Sequence, residues 1–254
     1  MQRPPTPTDA AAARRRGRPR KRLDAAIMAG PRVVRANLHE QAAERLRDLI
    51  VRGDLAPGAS LVEVELSGML GISRTPIREA IKLLAQQGLV ELRANRSPCV
   101  RPLRAAEIRE LFEALAGIER IAAELAAQRI TAADLGRLRA LQAEIVREHE
   151  AGRRDSYAAA NRTIHRTIVL AARNAPLAEV HAALLSRADQ VRVFALGLED
   201  RWEQSIREHQ AILDALDARD PVQAGRLLQE HVGQTAAVVA ASLAGRTDPA
   251  SSAA

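Results

Sequence analysis

The sequence predicts a mainly α-helical protein in two parts: a three-helix unit closed by a two-stranded hairpin, then an antiparallel bundle of six or seven helices. Three observations carry this. Apolar residues recur at spacings of three and four along most of the chain from residue 38 to residue 244. The stretch that reads as paired strands is short, "LVELRANRSPCVRPL". Phe112, Tyr157, Phe194 and Trp202 are all the aromatic residues, so the core must be Leu, Ile, Val and Ala, which suits packed helices rather than a large sheet. At 254 residues the chain can bury two cores.

Residues 1–36 lack sustained periodicity and are rich in Pro, Ala and Arg, so they are expected to be disordered. Residues 1–22 hold eight basic side chains against Asp9, a net +7 that equals the formal charge of the whole chain. The basicity therefore belongs to a phosphate-seeking tail. Within it "RRRGRPRKR" resembles an AT-hook, in which Arg16 and Arg18 would enter a narrow minor groove; the other reading is a non-specific basic tail.

Residues 37–102 form the first regular unit. Ala42, Leu46, Leu49 and Ile50 mark one helix, stopped at Gly53, and Glu63 to Leu70 form a second, ended by Gly71. Ser73 is placed to cap a third helix running through Gln87, with Ile77, Ile81 and Leu84 facing the core. The strands follow, around a polar turn from Ala94 to Pro98. Three helices and a hairpin make a winged helix-turn-helix, whose third helix lays its N-terminal residues against base edges in the major groove. Arg74 and Arg78, four apart, share the face away from Ile77, and Arg offers guanine a bidentate fork. Ser73 and Thr75 add hydroxyls, Lys82 extends the basic face by a turn, and Asn95 and Arg96 form the wing tip.

Residues 103–244 read as the helical bundle, and residues 245–254 as a disordered end. "TAAD" from Thr131 starts a helix, "RNAPL" breaks the chain at Asn174 to Pro176, and Pro221 sits at a first helical position. His165, His209 and His231 each lie on an apolar helical face, with Asn161 one turn before His165. Three converging imidazoles and an oxygen ligand suit a divalent metal, zinc above nickel or manganese. The alternative is hydrogen-bonded core histidines; His181 also has apolar neighbours, so such a face does not by itself select ligands.

The segment "LRDLIVRGDLAPGASLVEVELSGMLGISRTPIREAIKLLAQQGLVEL" resembles the DNA-binding module of GntR-family bacterial transcriptional regulators, most specifically in "PG", "GISRTPIREA" and "GLVE". The remainder resembles the FCD type of effector domain, and together the resemblance spans roughly residues 38–240. It implies a dimeric, cytoplasmic, nucleoid-associated regulator that binds an inverted-repeat operator on double-stranded DNA and responds to a small organic acid, and further a repressor of a nearby metabolic operon. It also implies a ligand set: metal-binding FCD domains space their histidines as His165, His209 and His231 are spaced, with a carboxylate four residues before the first. Here Asn161 stands in that place. Val64 stands where the family commonly has Arg, and Ser97 where it usually has Gly. Leu115 stands where many members carry an effector-gripping Arg, so Arg187 and Arg192 on a later helix are the candidates to replace it, the other reading being solvated surface side chains.

Other readings are an architectural DNA-binding protein acting through the tail and a zinc-dependent hydrolase. The hydrolase lacks an HExxH helix. Glu208 and Glu230 each precede a histidine, and adjacent helical residues do not share a face. The chain is therefore expected not to be an enzyme. Cys99 is the one cysteine, so no internal disulfide can form. No apolar run reaches membrane-span length and no signal peptide is legible.

Overall fold

The computed structural model describes residues 38–198 and 201–246. The tail with Arg16 and Arg18 lies outside them, as does the end of the chain from residue 247. The fold class is the expected one. Helices α1 (Leu38–Arg52), α2 (Glu63–Leu70) and α3 (Arg74–Gln86) precede strands β1 (Val90–Glu91) and β2 (Cys99–Val100). Six further helices follow among the described residues: α4 (Ala105–Arg129), α5 (Ala132–Glu150), α6 (Arg154–Ala171), α7 (Ala175–Ala195), α8 (Arg201–Asp217) and α9 (Pro221–Arg246). α9 continues to Arg246, two residues into the stretch expected to be disordered.

The winged unit has its own core. Leu46 and Ile50 of α1 meet Ile77, Ile81 and Leu84 of α3, with Leu61, Leu89 and Val100 closing the cluster. Each fully buried Leu or Ile adds about 1.5–3 kcal/mol. The turn between α2 and α3 depends on Gly71, at φ 67°, where a Cβ would be strained. β1 and β2 pair antiparallel with Val90 opposite Val100, and Ser60 bridges Cys99. The wing turns at Asn95, which takes the left-handed conformation at φ 57°; Asn tolerates it better than most residues. Arg93 fastens the loop by donating to the Ser97 carbonyl.

In the bundle α4 lies along α9, and Ala123, Ala126 and Ala127 provide the small side chains that permit close packing. The sequence signals for helix starts hold. Thr131 and Asp134 form a reciprocal capping box, the Asn174 side chain accepts from the Leu177 N–H, and Pro221 opens α9. Val51 of α1 packs with Ala158 of α6 and Val193 of α7, which joins the winged unit to the bundle. No helix among the described residues is long and apolar enough to cross a membrane.

Candidate nucleic-acid face and histidine centre

On α3 the apolar stripe turns Ile77, Ala80, Ile81 and Leu84 inward, which leaves Arg74, Thr75, Arg78 and Lys82 exposed. Ser73 occupies the N-cap, but its hydroxyl makes no capping hydrogen bond. Arg74, Arg78, Asn95 and Arg96 line one open cleft between α3 and the wing, together with Glu63 and Val64 of α2. Arg78 grips Glu63 side-on: Nε donates to Oε1 at 2.8 Å and Nη2 to Oε2 at 2.7 Å. Arg74 Nη2 reaches the same carboxylate at 3.5 Å. The hydrogen bond from Arg78 lowers the Glu63 carboxyl from its ordinary value and raises the Arg78 guanidinium in turn. Lys82 pairs with Glu79 at 3.0 Å.

The second assembly is buried in the bundle. α6, α8 and α9 bring His165, His209 and His231 together, with one candidate ligand atom from each within 4.8 Å of the others. His165 Nδ1 lies 2.6 Å from Glu119 Oε2, and His231 Nδ1 lies 2.5 Å from Glu208 Oε2. A carboxylate accepts, so each Nδ1 carries the proton and each Nε2 keeps a lone pair. Those two Nε2 atoms face each other at 3.2 Å. Two lone pairs at that distance repel unless a proton or a metal ion lies between them, and nitrogens sharing an ion at about 2.0–2.1 Å are compatible with such a separation. Both ring nitrogens of His209 are buried without a hydrogen-bond partner, as is Asn161 Oδ1. The unpartnered donors, and histidines oriented by carboxylates, fit a metal. Burial lowers the pKa of all three histidines, most strongly for His209 and His231, which favours the neutral, ligating form.

Several residues that sequence reasoning passed over complete this centre. Glu119 of α4 is fully buried and meets His165, His181 Nε2 at 3.0 Å and Arg192 Nη2 at 2.8 Å. Burial raises its carboxyl, but the Arg192 guanidinium and the hydrogen bonds from His165 and His181 hold it well below the usual range. Its signal was available: Glu119 lies in the stripe of Leu111, Leu115, Ala122 and Ala126, where a carboxylate needs a partner. Arg201 donates to Glu208 at 3.0 Å and to Thr235 Oγ1 at 2.8 Å. As expected of adjacent helical residues, Glu208 does not serve His209 beside it in sequence; instead it reaches across to α9 and orients His231, which the sequence did not indicate.

The two arginines proposed together separate. Arg192 is buried beside His165 and lines a small cavity with Asn161, Arg201, Ser205 and His231, its Nη1 lacking a hydrogen-bond partner. Arg187 lies away from the histidines. Its stem covers Gly88, where a Cβ would come within 2.7 Å of Arg187 Cδ, and its guanidinium is 3.9 Å from Glu107. Five residues on a helix separate side chains by about 140°, so the two could not share a site.

Residues 38–100 match the family described as "Bacterial regulatory proteins, gntR family", and residues 110–234 match the FCD domain. The chain is 34% identical over 195 residues to the "Probable D-xylose utilization operon transcriptional repressor" of Paenarthrobacter nicotinovorans, covering 75% of this chain and 85% of that protein. It is 27% identical over 195 residues to the transcriptional repressor RspR of Escherichia coli K12, covering 77% and 86%. The solved structure of E. coli McbR/YncC shares the fold at a TM-score of 0.72 with 23% identity, covering 82% of this chain and 99% of that one. The chain belongs to the GntR family of bacterial regulatory proteins: it is a DNA-binding transcriptional regulator, not an enzyme, with an FCD effector domain behind its winged helix-turn-helix.

Proposed function

We propose that the protein is a homodimeric repressor of a metabolic operon, released from its operator by a small organic acid bound next to a metal ion. The observation that carries the reading is the pair of carboxylate-oriented Nε2 atoms of His165 and His231, 3.2 Å apart beside the unpartnered ring of His209. These histidines, with the Asn161 carbonyl, would hold the metal, and zinc suits the nitrogen-rich set best. When bound, the ion supplies a fixed positive charge for a ligand oxygen. Arg192 and Arg201 flank the same cavity and would take the acid's carboxylate, while Ser205 offers a hydroxyl. The Arg187 assignment has no support from its position.

On DNA, Arg74, Thr75 and Arg78 would read bases in the major groove, Ser73 and Lys82 would meet phosphates, and Asn95 and Arg96 would follow the wing into the flanking groove. Two copies would match an inverted repeat, and Arg16 and Arg18 of the tail would add minor-groove contacts. Relatives named as repressors support the sign of regulation. The test is operator binding by chelator-treated and zinc-loaded protein against a panel of carboxylic acids. One acid should weaken binding in the zinc-loaded protein only. If none acts in either form, the effector reading fails.

A further inference from the structure

We propose that Glu63 is a positioning residue for base readout: it holds the Arg78 guanidinium side-on so that its outer edge meets guanine. The proposal rests on α3 facing the major groove. An arginine carries five N–H donors in a planar fork. Glu63 takes Nε and one hydrogen of Nη2, at 2.8 and 2.7 Å. That leaves Nη1 and the second Nη2 hydrogen, which are the pair that fits guanine O6 and N7. The carboxylate itself is held from two sides, since Arg74 Nη2 lies 3.5 Å from Oε2. Glu63 is more enclosed than either arginine, with a side-chain exposure of 21% against 54% for Arg78 and 60% for Arg74. The more enclosed partner therefore braces the more exposed one.

The physical gain is pre-organisation. A free arginine loses rotamer freedom when it docks on a base, and one already held loses less. The same carboxylate also sits in a cleft lined by Arg74, Arg78 and Arg96, where it repels phosphate. Glu63 thus lowers affinity for DNA in general while it raises discrimination. Purely structural damage would not produce this opposition of signs.

The experiment uses the full chain and an operator recovered by selection from random duplex. The guanine that Arg78 reads is located with Arg78→Ala, and 7-deazaguanine, which lacks the N7 acceptor, is then placed there. In Glu63→Gln the discrimination between guanine and 7-deazaguanine should fall about three- to tenfold, the worth of one immobilised side chain. Binding to a scrambled duplex should tighten in the same variant. With Arg78→Ala already present, Glu63→Gln should leave discrimination at that base unchanged. Full discrimination retained in Glu63→Gln, or equal weakening on operator and scrambled duplex, overturns the proposal. If Arg78→Ala itself leaves operator selectivity intact, the placement of α3 is wrong, and that outcome is recognisable before Glu63 is tested.

Discussion

Two carboxylates in this molecule do similar chemistry in opposite settings. Glu63 lies between Arg74 and Arg78 at the surface; Glu119 lies between Arg192, His165 and His181 in the bundle. Water and salt screen the first group, so its ion pairs add little to stability and its arginines stay available to a partner. The second group is out of water, where each charge depends on the others for its solvation. The surface carboxylate can therefore be spent on recognition, whereas the buried one holds the fold and orients a histidine at the same time.

The sharpest way to break that comparison is to remove each carboxylate in turn. Glu119→Ala removes the close charge partner of the buried Arg192 guanidinium and leaves it only the longer 3.8 Å contact with Asp189; breaking such a pair costs about 3–5 kcal/mol. Urea unfolding should show a large fall in midpoint at constant slope. Glu63→Ala should scarcely move the midpoint. Equal midpoints for the two variants would mean that water reaches the Glu119 network in solution.

Metal binding comes next in size. A ligand that binds only the folded chain stabilises it by RT ln(1 + [L]/Kd), about 2.7 kcal/mol when free metal is 100 times Kd. Melting of chelator-treated protein with and without Zn(II) should show this gain. His209→Ala should abolish it, and Asn161→Asp should enlarge it by facing the cation with a carboxylate. The pH dependence has a definite sign. Burial holds His165, His209 and His231 below their ordinary value in the folded state, so below about pH 6.5 the unfolded chain binds more protons. The metal-free protein should therefore lose stability as pH falls below that point, and the metal gain should fade over the same range. A melt indifferent to Zn(II), Ni(II) and Mn(II) would leave the three histidines as core residues.

Base readout at the surface site should be smaller and confined to one position. Arg78→Ala should weaken the operator about ten- to hundredfold and relax preference at its cognate base pair, leaving other positions unchanged. Footprinting combined with single-base operator variants measures this. A uniform loss across all positions would assign Arg78 to phosphate.

The histidines could be found in the sequence, but which carboxylate meets which histidine could not, for a physical reason. His165, His209 and His231 each sit at core-facing positions of their own helix, a pattern visible within seven residues of chain. Glu119 meets His165 across 46 positions and Glu208 meets His231 across 23. Such pairings depend on how α4 and α8 pack, and no local periodicity encodes that. The winged unit was more legible because its signals are local: Gly71 at the turn, Ser73 before α3, and Ile77, Ile81 and Leu84 at spacings of four and three. The left-handed residue of the wing is Asn95, two places before the Ser97 at which the resemblance had placed a glycine. Arg187 and Arg192 were separable in principle, because five positions on a helix put them on different sides.

Lys82 sets the lower bound of the comparison. It lies one turn beyond Arg78 on α3, exposed, with Glu79 3.0 Å away on the same helix. An ammonium is a point charge without a fork, so it neutralises phosphate and does not select bases. Glu79 neighbours it in sequence and moves with it, so that pair lacks the bracing that α2 gives Arg78 through Glu63. Lys82→Ala should remove one phosphate contact, which lowers the slope of log K against log salt by about 0.9. The change should be the same on operator and scrambled duplex, since released counterions carry no sequence information. Salt titration of both duplexes by fluorescence anisotropy reads the two slopes directly. A shift in base preference, with the slope unchanged, would place Lys82 in the groove and α3 about one turn deeper than the Arg74 and Arg78 assignment allows.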